Sequence, residues 1–428
     1  MKNIGFNKSE IVPAERISHV EEYYFSKKLK EIAEMNASGD DVINLGIGSP
    51  DLPPSGDTID ALTEMAHDVH AHGYQPYVGT PELREAFASF YKRWYGVELD
   101  PNKEVLPLMG SKEGIMHISM AFINPGDGVL IPNPGYPTYS SVSKLVGAKL
   151  ISYALRQENN WMPDFEELER ANDAGEIDLS RVKLMWCNYP SMPTGANGSM
   201  EIFEKLVAFG KLHNIIICHD NPYSFILNNK PISILSVPGA KDICIELNSM
   251  SKSFNMPGWR IGVLNSNAQF VSWVLRVKSN MDSGMFRGLQ AAAIKALNAP
   301  KSWFDDMNKT YSDRRDLARE ILENVGATVR DGQVGLFLWG KCPKVSTISS
   351  AYVRDDNNTE GGKNIAAEGN EYVRGEDICD RVLYDAHVFL TPGSIFGSEG
   401  ENYIRISLCC DKETLSKALL RIKKSLKK

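Results

Sequence analysis

The chain has 428 residues, 43% of them apolar, with 47 Lys and Arg against 54 Asp and Glu. That length suits a two-domain enzyme with a sizeable core, and a formal charge of −7 without a basic stripe argues against a nucleic-acid partner. The first thirty residues hold no signal-type apolar block, no run approaches the ~20 apolar residues of a membrane span, and seven cysteines without metal spacing read as reduced thiols of a cytoplasmic protein.

Phe25, Leu29, Ile32 and Ala33 recur at helical spacing, so an arm is expected to lead into a helix over 20–36. Residues 42–45 read as a short strand running into Gly46-Ile47-Gly48-Ser49-Pro50-Asp51. Helices are predicted over 57–72 and 81–95, parted by Gly73-Tyr74-Gln75-Pro76-Tyr77-Val78-Gly79. From 105 to 265 short apolar runs alternate with helical stretches; the runs are 105–109, 129–131, 149–153, 182–187, 215–218, 243–247 and 261–264. Most are apolar on both faces, as in buried, mainly parallel strands. The fold class is therefore α/β, a sheet with helices on both sides. A long helix over 301–326 leads into a smaller α+β part with strands near 328–330, 336–339, 388–391 and 403–408. The polar stretch 350–376 reads as a long surface loop. The final lysines, Lys423-Lys424 and Lys427-Lys428, suit the negative end of a terminal helix.

In such sheets ligands sit at the carboxyl ends of the strands. Ser111, Asn188, Asp220 and Ser249 fall there. Gly110-Ser111-Lys112-Glu113-Gly114-Ile115 joins a strand end to a helix start, a geometry that offers backbone N–H groups to an anion. Lys252 stands in Ser249-Met250-Ser251-Lys252-Ser253-Phe254-Asn255-Met256-Pro257-Gly258-Trp259-Arg260-Ile261-Gly262. An amine among small hydroxyls can form an imine with an aldehyde cofactor, while hydroxyls and a guanidinium hold its phosphate. Arg405, flanked by isoleucines in a strand, is costly to bury unpaired. Its planar fork fits a carboxylate in two-point contact.

The fourteen-residue string around Lys252 resembles the cofactor-lysine motif of the class I/II aminotransferases, which use pyridoxal phosphate. The likeness runs from about Asn44 to Ser407. It implies a large cofactor domain over 48–300 with a mainly parallel seven-stranded sheet. The small domain then comes from both ends, an arm over 1–47 and an interdomain helix with the rest of that domain over 301–428. It implies amino-group transfer from an L-amino acid to a 2-oxo acid by a ping-pong route through the Lys252 imine. The segments Leu45-Gly46-Ile47-Gly48 and Gly110 to Ile115 look most like the diaminopimelate, aspartate and alanine branch.

The resemblance assigns roles residue by residue. Lys252 forms the imine and moves the substrate's α-proton. Asp220 pairs with the cofactor ring nitrogen, where an anion favours the protonated ring. Tyr223, at Asp-x-x-Tyr spacing, donates to the ring phenolate oxygen. Gly110, Ser111, Lys112, Ser249 and Arg260 cradle the phosphate. Tyr136 in Asn133-Pro134-Gly135-Tyr136-Pro137 stacks on the ring. Arg405 takes the substrate α-carboxylate, with Ile47 and Gly48 beside it. Tyr74, in Tyr-x-x-x-x-Gly, reaches the neighbouring subunit's phosphate, so a homodimer is expected. No metal is called for, and His219 reads as structural. One departure stands out. Met192 in Asn188-Tyr189-Pro190-Ser191-Met192-Pro193-Thr194-Gly195 occupies the family's asparagine position, and a thioether cannot donate to the phenolate. Tyr223 then acts alone, or Asn188 substitutes.

A lyase or decarboxylase on the same scaffold would keep the same lysine, aspartate and arginine. A cofactor-sensing transcription regulator would need an attached DNA-binding domain, and about forty residues without a helix-turn-helix precede the scaffold. A plain nucleotide-binding protein would need a Gly-x-Gly-x-x-Gly or Gly-Lys-Ser/Thr loop, and neither appears.

Overall fold

Strands that are apolar on both faces need cover on both, and the seven central runs find it in one sheet. The computed structural model describes residues 11–20, 22–347 and 371–425. After β1 (Ile43–Asn44) come β2 (Val105–Leu108), β3 (Gly128–Asn133), β4 (Lys149–Ala154), β5 (Val182–Asn188), β6 (Ile216–Asp220), β7 (Cys244–Ser249) and β8 (Gly262–Asn265). The sheet order is β2-β8-β7-β6-β5-β3-β4, parallel except for β8, which runs against both neighbours. Alternation along a strand decides which side each residue covers. On β5, Met185 and Cys187 enter one apolar cluster, while Leu184 and Trp186 enter the cluster on the other face.

The helices that matter for the site are α1 (Tyr24–Ala37), α2 (Gly56–Ala66), α3 (Pro81–Tyr95), α4 (Ser111–Phe122) and α5 (Pro137–Leu145). α3 has the expected bounds because its ends are written locally. Thr80 caps it through its hydroxyl, Pro81 opens it, and Gly96 closes it in the left-handed region. α2 stops at Ala66, short of the expected 72. There Asp68 accepts a bond from the backbone N–H of His70 at 2.9 Å, a local turn that competes with the helix.

The C-terminal part supplies β9 (Thr328–Val329), β10 (Phe337–Lys341), β11 (Val388–Phe389), β12 (Thr391–Pro392) and β13 (Tyr403–Ser407). The single strand expected over 388–391 is two. β11 pairs in parallel with β1, while β12 joins the antiparallel sheet β12-β13-β10-β9. Leu390 between them is fully buried, and the chain changes sheets across it. The N-terminal segment is thereby stitched to the C-terminal one. The Ser407 N–H donates to Leu45 O at 2.8 Å, and the Thr391 hydroxyl to Gly46 O at 3.1 Å. The long helix Lys301–Asn324 packs on the last helix, Lys412–Ser425. Its Arg314 clamps Asp51 in two contacts of 2.6 and 2.8 Å.

The 350–376 stretch lies outside the described residues apart from 371–376. Lys423 and Lys424 stand in the last turn of the final helix, and Lys427-Lys428 lie outside the described residues. All seven cysteines are free. Among the described residues no helix is long and apolar enough to cross a membrane.

Candidate active site

Parallel strands end at one edge of the sheet, and register decides which side chains meet there. Asn188 on β5 lies opposite Asp220 on β6, and Asp220 opposite Leu247 on β7. The reversal of β8 starts that strand at the same edge, with Gly262 opposite Ser249. This brings Arg260 back to the turn that opens α4. A cavity of about 840 Å³ lies along this edge and is lined on its other side by α1 and the C-terminal sheet. Every candidate from the sequence lines it except Gly110, directly behind Ser111, and Tyr74, which is 93% exposed and outside this chain's cavity.

Lys252 rides on the short helix Met250–Ser253 directly after β7, where the Ser249 hydroxyl accepts the Ser251 N–H at 3.1 Å. Its ammonium donates to Gly48 O at 2.6 Å. Burial, with Arg405 and Arg260 nearby, lowers its pKa, against opposing pulls from Cys409 and Asp220. Gly48 has no room for a side chain: a Cβ there would fall 2.1 Å from the Phe337 ring.

Asp220 is buried at the end of β6. Its Oδ2 accepts from the Tyr139 hydroxyl at 2.9 Å, and its Oδ1 is buried without a partner. Burial pushes this carboxyl up to about 6, against the Tyr139 bond and the charges of His219 and Lys252. Tyr223, also buried, sits edge-on to Phe337 at 6.1 Å, and burial raises its pKa. Asn188 lines the cavity, but its amide is engaged. It donates to Asp220 O at 2.7 Å and accepts the Met192 N–H at 2.7 Å.

Arg405, on β13, is buried beneath three rings, with Phe337 4.0 Å, Phe396 4.7 Å and Phe25 5.5 Å from its guanidinium carbon. It donates to Gly46 O at 2.6 Å and to the Met192 sulfur at 3.2 Å, and its Nε has no partner. Burial lowers its pKa to about 10, and no carboxylate among the described residues offsets that burial.

The turn before α4 is shaped for close approach. Gly110 has φ +92°, no side chain caps the helix behind it, and a Cβ would come 2.2 Å from Arg260 Nη2. Arg260 donates to Pro257 O at 3.0 Å and to the Ser251 hydroxyl at 3.5 Å. The Lys112 ammonium lies 4.9 Å from the Tyr23 ring, and burial together with Arg260 lowers its pKa. Tyr136 contacts Tyr139 edge-to-face at 5.5 Å.

Sequence reasoning passed over Tyr139, and read Phe25 and Leu29 as the apolar face of a helix when both also line the cavity. Phe337 and Phe396 were likewise missed. The one legible signal was Tyr139 three residues beyond Tyr136, in the first turn of α5 and on the same side of it. His219 lies off the cavity, bonded to Glu246 at 2.9 Å and to Tyr189 O at 2.8 Å. One group, Glu113, His117 and Asp282, has metal-like spacing, but the Lys278 ammonium, 3.0 Å from Asp282, already brings a positive charge there.

The profile of the family described as aminotransferase class I and II matches residues 40–422. The LL-diaminopimelate aminotransferase of Dehalococcoides mccartyi is 38% identical over 96% of this chain and 97% of its own length. That of Aquifex aeolicus is 38% identical over 96% and 98%. Among solved structures, substrate-bound BacF from Bacillus subtilis superposes with TM-score 0.85 at 34% identity, covering 97% of this chain and 98% of its own. Family and relatives together imply pyridoxal phosphate chemistry. On this match across nearly its whole length, the chain belongs to the class I and II aminotransferases and is an amino-group-transferring enzyme.

Proposed function

We propose that the cavity binds pyridoxal 5'-phosphate and that the residues lining it carry out transfer from an L-amino acid to a 2-oxo acid. One observation carries this reading. A buried carboxylate with an unfilled oxygen and a buried guanidinium with an unfilled N–H face the same lysine across one cavity. Buried charges are normally paired, so both ask for a ligand with a cation at one place and an anion at another.

The donor set fits the cofactor. Asp220 Oδ1 meets the ring nitrogen, Tyr223 the phenolate oxygen, and Tyr136 the ring face. Gly110, Ser111, Lys112, Ser249 and Arg260 take the phosphate at the start of α4, where free N–H groups favour an anion. When bound, the cofactor supplies an aldehyde that condenses with amines and a ring that accepts the electron pair freed at the substrate α-carbon.

The chain's own residues do the rest. Arg405 binds the substrate α-carboxylate through its free Nε edge and orients the α-carbon toward Lys252. Gly48, whose missing side chain lets the Phe337 ring pack close, holds the Lys252 amine through its carbonyl. An ordinary lysine, with pKa near ~10.4, is protonated at neutral pH and cannot act as a base. Burial shifts Lys252 toward the neutral amine, whose Nζ takes the α-proton. The aromatic rings over Arg405 keep its guanidinium out of bulk water.

The relatives' names make LL-diaminopimelate the first donor to test. We assign residues 48–300 to a large cofactor domain, with 1–47 and 301–428 outside it. The active unit in this reading is a homodimer in which exposed Tyr74 completes the partner's phosphate site. Borohydride reduction of the cofactor-loaded enzyme should fix the label at Lys252. LL-diaminopimelate or another L-amino acid alone should convert bound cofactor stoichiometrically to its amine form. Absence of label sinks cofactor binding, and release of ammonia with a 2-oxo acid would point to a lyase.

A further inference from the structure

The ring of Tyr139 is 1% exposed and stacks on Trp186, with centroids 5.0 Å apart and planes within 6°. Trp186 is itself fully buried on β5, and its carbonyl accepts from the Tyr153 hydroxyl at 2.6 Å. Sequence alone would call Tyr139 a core aromatic, and for its ring that is correct. A phenylalanine would fill the same space.

The hydroxyl has a separate job. It ends 2.9 Å from Asp220 Oδ2, in a buried bond spanning 81 residues of sequence. A carboxylate has two oxygens, and this bond commits one of them. The other, Oδ1, is left buried and unpaired on a residue that lines the cavity. The carboxyl cannot turn without breaking a charge-assisted bond to a side chain locked by stacking on Trp186.

We propose that Tyr139 is a positioning residue, whose hydroxyl holds Asp220 ionised and fixes Oδ1 toward the place of a cofactor ring nitrogen. This rests on the cofactor reading given above. Burial favours the neutral acid of Asp220, and a donor to the anion opposes that. The other charges that face Asp220 are His219 on β6 itself and Lys252 beyond β7. Only Tyr139 makes a side-chain hydrogen bond to the carboxylate among the described residues. Tyr139 also meets Tyr136 edge-to-face, so one side chain braces both the ring-nitrogen partner and the proposed stacking partner.

The test is a double-mutant cycle read by cofactor affinity. Apo forms of wild type, Tyr139→Phe, Asp220→Asn and the double variant are titrated with pyridoxal 5'-phosphate. Loss of one hydrogen bond to a buried charge should weaken binding on the order of tenfold or more in the Asp220 background. In the Asp220→Asn background the same change should weaken it less than about twofold, because there is no anion left to hold. Equal weakening in both backgrounds makes Tyr139 a packing residue only and overturns the proposal, as does no weakening in either. Should the phenylalanine variant not fold, 3-fluorotyrosine placed at 139 keeps the ring and makes a stronger donor. It should tighten binding, and unchanged or weaker binding overturns the proposal. If wild type itself fixes no borohydride label at Lys252, the cofactor reading has failed. If it does and the cycle is additive, only the assignment of Tyr139 has.

Discussion

Asp220 gives the residue scale its sharpest pH signature. Its carboxyl is raised to about 6 in the folded protein, from 3.8 for the free group. Between those values the folded chain binds more protons than the unfolded one, so stability falls as pH rises, and the full cost is reached above about pH 6. Holding the carboxyl at about 6 instead of 3.8 corresponds to about 3 kcal/mol. Cofactor-free wild type should therefore lose stability relative to Asp220→Asn as pH rises from 4 to 7. Urea unfolding of both proteins across that range checks it, and a flat difference would mean the carboxylate is paired in solution. Met192 offers a second residue-scale test. Met192→Asn supplies an amide where a thioether now touches Arg405. If this position faces the cofactor's phenolate oxygen, an added donor stabilises the anion. The pH at which the bound cofactor's visible absorbance changes should drop by ~1 unit, the worth of about one hydrogen bond. An unchanged titration removes Met192 from that role.

Among the elements, the β2 to α4 turn carries the most constraint. Gly110 adopts φ +92°, where an L side chain is strained, and a methyl would meet the tip of Arg260 at 2.2 Å. That tip is flexible, so the clash is relieved by moving Arg260 rather than the sheet. Gly110→Ala should cost about 1–3 kcal/mol of stability from backbone strain. It should also weaken phosphate binding, since Arg260 is displaced. Thermal unfolding and titration with inorganic phosphate read the two effects separately. If affinity is untouched, Arg260 does not serve the anion.

At the scale of the whole molecule, Tyr74 stands 93% exposed in a stretch of chain whose Val69 and Tyr77 are exposed as well. In the homodimer reading, Lys252 and Tyr74 of one site come from different subunits. Lys252→Ala and Tyr74→Ala proteins should each be impaired. Refolded together, they should regain activity, because half of the mixed dimers' sites carry neither change. Sedimentation of the wild type should give twice the chain mass. No recovery on mixing would put both residues in one subunit's site, or Tyr74 in none.

The residues themselves determined the fold class and placed the seven central strands to within two residues at each end, because two-sided apolar runs and the turn glycines are local, short-range signals. Lys252, Asp220 and Arg405 were legible because chemistry-bearing residues stood in apolar or small-residue surroundings that a surface residue has no reason to share. Tyr139 was not, since its hydroxyl meets Asp220 only through the side-by-side packing of β5 and β6 under α5. Nor was the splitting of the 388–391 strand, which depends on two sheets from opposite chain ends competing for the same backbone. Apolar periodicity determines what must be buried, but only the tertiary structure decides which buried polar atom is answered and which, like Asp220 Oδ1 and Arg405 Nε, is left open, because hydrogen bonds depend on distance and direction rather than on order in the chain.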